Sequence, residues 1–106
     1  MNELVKIVVT VPENNASELR EAIGNSGGGL IGNYDYTSFS IKGTGRFRPN
    51  KNAKPAIGHS GIIEEVIEER IEITCTKIQA KEIVELIKSV HPYEEPAIDI
   101  YPLLQI

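Results

Sequence analysis

The chain is poor in the residues that several functional classes require. Its one cysteine, Cys75, excludes an internal disulfide and a metal site built from thiolates. We expect Cys75 to be a small buried residue of a strand. There are only two histidines, and no serine or cysteine lies in a nucleophile motif. We therefore assign no catalytic residues and expect a protein that is not an enzyme.

Basic residues and long apolar runs are also scarce. Lys and Arg number 11 against 15 acidic residues, a formal net charge of −4, which argues against a nucleic-acid partner. No apolar run approaches the length of a membrane span, and the first residues lack the apolar core of a signal peptide. We expect a single domain over residues 1–106 that is cytoplasmic and binds neither nucleic acid nor membrane.

The spacing of apolar residues predicts six elements of secondary structure. They are strands at 4–11, 34–41 and 62–75, helices from Ala16 and at 78–90, and a closing strand at Ile98 and Ile100. Asn15 with Glu18, and Thr76 with Gln79, have the spacing of capping boxes that begin the two helices. In the third strand, the alternation turns Glu68 and Glu72 toward water beside Arg70.

The order strand, helix, strand, strand, helix, strand is that of the α+β ferredoxin-like sandwich. Right-handed connections place both helices on one face of a four-stranded antiparallel sheet. In the first strand, Leu4 and Val8 add apolar bulk on the opposite face. We therefore expect a second copy of the chain to cover that face in a homo-oligomer.

Residues 42–61 are rich in glycine and proline and follow neither the strand period of two nor the helix period of 3.6, which predicts a long loop that is functional or mobile. Its candidate ligand-binding residues are Gly43, Thr44, Gly45, Arg46 and Arg48. Glycines let backbone N–H groups approach an anion, and guanidinium groups bind phosphate or carboxylate. The alternative is a glycine turn in which Phe47 anchors the loop in an apolar pocket.

The stretch from His91 to Pro102 contains a second candidate site. Imidazole and carboxylate oxygen suit a divalent metal ion, so His91 and Glu94 are candidate ligands. The third ligand would be Glu95, His59, an acidic residue from elsewhere in the chain or a residue of a neighbouring subunit. In the alternative, Tyr93 packs with its hydroxyl bonded, and Glu94 accepts hydrogen bonds from backbone N–H groups at a helix end or pairs with a base. Tyr93 is also a candidate ligand-binding residue.

Several short segments form a spaced signature along the chain. They are Ile31-Gly32-Asn33-Tyr34, Ser38-Phe39-Ser40, Gly43-Thr44-Gly45, Phe47-Arg48-Pro49, Ala53, Pro55, Ile57-Gly58, residues 91–97 and Asp99-Ile100-Tyr101-Pro102. This signature resembles the inserted PII/CutA-like domain of YqfO-type proteins, which belong to the NIF-three-like dinuclear-metal hexameric family. The His-Pro-Tyr-Glu element also resembles the C-terminal motif of the CutA divalent-ion tolerance proteins.

The resemblance implies a stand-alone version of this insert, because the chain lacks the several histidine and acidic ligands of the parent family's metal site. It implies a non-enzymatic binding or regulatory module with a small anion or metal ion near a subunit interface. CutA and PII proteins are known as trimers, so a trimer is favoured over a dimer. Two alternatives remain: a CutA-type metal-tolerance protein, with a divalent ion as the one candidate cofactor, and a scaffold that binds a protein through residues 43–61.

Overall fold

The computed structural model describes residues 3–106 and contains four strands and two helices. The elements are strand β1 (Leu4–Pro12), a 3-10 turn (Glu13–Asn15), helix α1 (Ala16–Asn25), β2 (Phe39–Phe47), β3 (Glu64–Thr76), helix α2 (Lys77–Val90) and β4 (Ile98–Pro102). This order confirms the predicted ferredoxin-like fold. Within residues 3–106, no helix has the length and apolar character needed to cross a membrane.

The strands form one antiparallel sheet in the order β2-β3-β1-β4. In the centre of the sheet, Ile7 of β1 lies opposite Ile73 of β3 and Ile100 of β4. The first and last strands are therefore neighbours. Beyond β4, the N–H of Leu103 donates to the carbonyl oxygen of Leu4 at 3.1 Å.

The hydrophobic core lies between one face of the sheet and the two helices. The helices contribute the buried residues Ala16, Leu19, Ile23, Ala80, Ile83 and Ile87, and the sheet contributes Val5, Ile7, Val9, Val11, Ile71, Ile73 and Cys75. These residues follow the predicted helical and alternating patterns. Burial also raises the pKa of the Cys75 thiol, which favours its uncharged form.

Only one of the two predicted capping boxes is formed. The Thr76 hydroxyl accepts the N–H of Gln79 at 3.2 Å, and the Gln79 side chain accepts the N–H of Thr76 at 3.1 Å. The Asn15 prediction is wrong, because its side chain makes no capping bond within residues 3–106. A 3-10 turn precedes α1, and Asn15 has helix-like backbone angles there instead of the extended angles of a capping residue.

The second strand lies further along the chain than the sequence predicts. Residues 39–47 pair with residues 64–72 of β3, so Gly43-Thr44-Gly45 belongs to the sheet and the connection shortens to 48–63. Tyr34 instead makes an isolated bridge with Ile31. The prediction of a strand at 34–41 and a loop from 42 is therefore wrong at both boundaries. The reason is that pairing with a long neighbour outweighs the local effect of glycine.

The sheet face opposite the helices combines apolar and charged residues. Val8 is buried there within the single chain, whereas Phe39 and Ile41 of β2 are 60% and 52% exposed. Between them and β1, the Arg70 guanidinium pairs with the Glu72 carboxylate at 3.1 Å. This face is therefore less uniformly apolar than the sequence suggested. Its exposed apolar part includes Phe39 and Ile41 of β2, and Tyr101 of β4 is 45% exposed on the same face.

Candidate functional site

A cavity of about 610 Å³ opens on the sheet face opposite the helices. Thr10, Ile41, Gly43, Gly45 and Glu68 form its floor, and the walls come from residues 47–57 and 93–97. The walls are largely apolar, with Phe47, Pro49, Ala53, Pro55, Ile57 and Ala97 among their residues. The volume is within the range of small-molecule sites in proteins.

Two glycines of β2 create the space above this floor. Gly43 lies directly opposite Glu68 in the strand pairing, and a Cβ added to Gly43 would meet no described atom within 4 Å. A Cβ added to Gly45 would collide with the Glu68 carboxylate. The glycines therefore keep the floor flat and open, as glycine does where another group approaches a strand closely. They lie in strand β2 and not in the loop in which the sequence predicted them.

Glu68 is the charged residue that the floor buries. Its residue exposure is 7%, and its Oε2 accepts a hydrogen bond from the Tyr93 hydroxyl at 2.8 Å. The prediction of a solvated Glu68 is wrong, because Tyr93 covers this end of the sheet. The available signal was a strand glycine, Gly43, opposite the acidic residue Glu68, but it becomes visible only when the register between β2 and β3 is known.

Tyr93 connects Glu68 with the stretch that follows α2. Its ring packs edge-on against Phe47, with centroids 5.5 Å apart, and lies 5.1 Å from the His91 ring. Burial raises the pKa of Tyr93 above its usual value, and the hydrogen bond to Glu68 raises it further. Tyr93 therefore stays a neutral hydrogen-bond donor.

His91 supports Tyr93 from outside the cavity. Its Nε2 lies 2.7 Å from the Thr10 carbonyl oxygen, and its Nδ1 accepts the N–H of Tyr93 at 3.1 Å. Because a carbonyl only accepts and a backbone N–H only donates, the ring is neutral with its proton on Nε2. Both nitrogens are thus engaged, and no lone pair is left for a metal ion in this arrangement.

The other candidate metal ligands lie apart from His91. Glu94 Oε1 accepts the backbone N–H of Lys54 at 2.9 Å and so ties the 48–63 connection to the turn after α2. Glu95 is exposed at the cavity edge, and His59 is exposed outside the cavity lining. Throughout residues 3–106, no group of three or more His, Cys, Asp or Glu side chains is placed to hold a metal ion. A site at His91 and Glu94 therefore gains no third ligand among these residues.

The candidate ligand-binding residues, in contrast, surround the same cavity. These are Gly43, Thr44, Gly45, Arg46, Arg48 and Tyr93. The two arginines differ in environment. Arg46 Nε pairs with Glu65 Oε2 at 3.0 Å across the strands, whereas Arg48 is exposed at the rim just beyond the end of β2.

Comparison with known proteins identifies relatives along nearly the whole chain. No protein-family model matches. A curated protein of Halalkalibacterium halodurans, named GTP cyclohydrolase 1 type 2 homolog, is 47% identical over 100 residues, which are 94% of this chain and 27% of that protein. The crystal structure of a Bacillus cereus protein related to NIF3 superposes with a TM-score of 0.83 at 40% identity, covering 96% of this chain and 26% of that one.

This chain is similar to the NIF-three-like proteins along nearly its whole length. It is similar to one domain of these proteins, since it spans about a quarter of the length of the curated relatives that it matches. The fold of this chain is CutA-like. A CutA structure from Archaeoglobus fulgidus, described as a periplasmic divalent cation tolerance protein, superposes with a TM-score of 0.70 at 15% identity and covers 96% of this chain and 85% of that one.

Proposed function

We propose that this NIF-three-like domain is a non-enzymatic binding or regulatory module whose ligand site is the cavity between β2 and residues 93–97. The supporting observation is that all six candidate ligand-binding residues line one cavity of ligand size. Tyr93 and Glu94 hold the far wall in place through their bonds to Glu68 and to the Lys54 N–H. A site with fixed walls loses little conformational freedom when it binds a ligand.

The ligand is a small organic molecule with an anionic group that binds at the rim. Arg48 is exposed there, whereas Arg46 already pairs with Glu65. An anion placed deeper in the cavity would meet the Glu68 carboxylate and be repelled. The apolar walls instead suit an uncharged body of the ligand.

Thermal unfolding with a panel of nucleotides, sugar phosphates and carboxylic acids tests this proposal. At least one compound should raise the melting temperature, and Arg48→Gln should greatly reduce the rise. Lys81→Gln on the exposed surface of α2 is the control for the loss of one positive charge and should leave the rise unchanged. No shift with any compound, or an equal shift in wild type and Arg48→Gln, would refute the anionic contact.

The second candidate function is divalent-metal tolerance of the CutA type. The likeness in fold to the Archaeoglobus fulgidus protein is the observation in its favour. Against it, binding at His91 would have to break a hydrogen bond to Thr10 or to Tyr93. Equilibrium dialysis with zinc and copper compares wild type with His91→Ala, and equal uptake by both proteins would remove this site.

We also propose that the chain forms a homo-oligomer, for which the exposed apolar part of β2 is the support. Phe39 and Ile41 lie on the same strand face, two residues apart, and more than half of each remains exposed. Their position on an edge strand makes them accessible to another subunit.

A further inference from the structure

We infer that the ligand presents a positively charged nitrogen group, an amine or amidine, to the Glu68 carboxylate on the cavity floor. This inference rests on the proposed binding function of the cavity and adds the chemical class of the group that enters it. The three supporting features are the burial of Glu68, its lack of a basic partner among the described residues, and the open space above it.

Glu68 differs from the acids that already have partners. Among residues 3–106 the ion pairs use Glu3, Glu13, Glu65, Glu69 and Glu72. These acids lie at the surface or are partly exposed, whereas Glu68 is 7% exposed and pairs with no described Lys or Arg. Burying a carboxylate is costly unless opposite charge or several hydrogen bonds compensate it. A ligand cation would supply that charge.

The carboxylate has acceptor capacity left for a ligand. The Tyr93 hydroxyl donates to Oε2, while an ionised carboxylate offers about four lone-pair positions. Tyr93 is itself positioned by its N–H bond to His91, whose opposite nitrogen bonds to the Thr10 carbonyl oxygen. The acceptor is therefore held in a fixed position before a ligand arrives, which strengthens charge-assisted hydrogen bonds.

The strand glycines leave room for the incoming group. Gly45 allows the carboxylate to lie against β2, and Gly43 leaves the opposite position without a side chain. The walls around this space include Phe47 and Ile57, which suit an aromatic or aliphatic body next to the nitrogen group. Together with the anionic group at Arg48, this describes an organic ligand with its positive and negative groups at opposite ends.

Three aromatic fragments of similar size test the charge. Benzamidine, benzyl alcohol and benzoate are titrated into the ¹⁵N-labelled full chain, and amide shifts of residues around the cavity report binding. We expect benzamidine to shift the amides of Gly43, Gly45 and Glu68 and to bind at least tenfold more tightly than benzoate. Glu68→Gln, which keeps an acceptor for Tyr93, should remove this preference. The control Glu85→Gln removes one charge from the surface of α2 and should preserve it.

A cavity-filling variant separates the two proposals. Gly43→Leu places a side chain in space that no described atom occupies, so the fold should persist while every fragment loses binding. If benzoate or benzyl alcohol binds in a Gly43→Leu-sensitive manner and benzamidine shows no advantage, the cationic group is refuted and the binding cavity stands. If no fragment binds and no compound of the larger panel shifts the melting temperature, both proposals fail. If Glu68→Gln does not fold, binding of the three fragments to wild type and to Gly43→Leu still tests the cationic group.

Discussion

At the scale of single residues, the hydrogen bond between Tyr93 and Glu68 determines the character of the site. It places an uncharged donor on a buried carboxylate and closes one end of the open sheet face. The sequence-based alternative in which Tyr93 packs with a bonded hydroxyl describes this arrangement. Its partner could not be named from the sequence, because residues 68 and 93 meet only after β3 and the turn beyond α2 have packed together.

We expect alkaline pH to destabilise the protein through Tyr93. Because the folded-state pKa of Tyr93 is raised above the ordinary value of 10.0, the unfolded chain releases this proton first as pH rises. The contribution of Tyr93 to the free energy of unfolding is complete below about pH 10 and is lost as pH rises toward the folded-state value. Urea unfolding of wild type and Tyr93→Phe between pH 8 and pH 11 measures it.

The difference in unfolding free energy between the two proteins should be about 1.5–3 kcal/mol at pH 8, the range for a hydrogen bond to a charged group. It should shrink as the pH approaches 11. Tyr34→Phe is the matched control, because Tyr34 is 76% exposed, and it should follow the wild type throughout. A constant difference between wild type and Tyr93→Phe would contradict the raised pKa.

At the scale of elements, local signals predicted the helices better than the strands. The stripe of Ala80, Ile83 and Ile87 and the capping box at Thr76 were both visible in the sequence, since each depends on residues within a few positions. Strand β2 was placed too early because its position depends on β3, which lies about twenty residues further along the chain. Nothing local shows that glycines 43 and 45 belong to a sheet.

The two helix starts provide a test within one chain. Thr76→Ala should lower the free energy of unfolding by about 1–2 kcal/mol, because it removes the side-chain acceptor of the Gln79 N–H. Asn15→Ala should cost much less, since the Asn15 side chain caps no N–H group in residues 3–106. Chemical unfolding of both variants measures the difference. Equal losses would show that the Thr76 capping box does not stabilise α2.

At the scale of the whole molecule, the fold was predictable from the order of elements, whereas the cavity was not. The composition of residues 43–48 predicts an anion-binding loop. In the structure the candidate ligand residues of this stretch line the cavity from β2 and from the residue that follows it. The burial of Glu68 depends on side chains from three separate parts of the chain, so no local pattern indicates it.

We expect light scattering coupled to size exclusion to give a mass that is a multiple of the chain mass at micromolar concentration. Phe39→Lys combined with Ile41→Lys should shift the mass toward that of one chain, because each change places a charge on the exposed apolar part of β2. Ile78→Lys is the control, since Ile78 is 82% exposed at the start of α2. A single-chain mass for the wild type would contradict the proposed assembly.

The pairing of β1 with β4 has a consequence for how the domain connects to other polypeptide. The N–H of Leu103 donates to the carbonyl oxygen of Leu4. The backbone that leads into β1 and the backbone that leaves β4 therefore lie side by side, about 4.8 Å apart. A host protein can therefore carry these residues inside one of its surface turns, with entry and exit spaced as in an ordinary hairpin. Insertion of the domain at such a turn would leave the cavity between β2 and residues 93–97 intact and would not distort the backbone of the host protein.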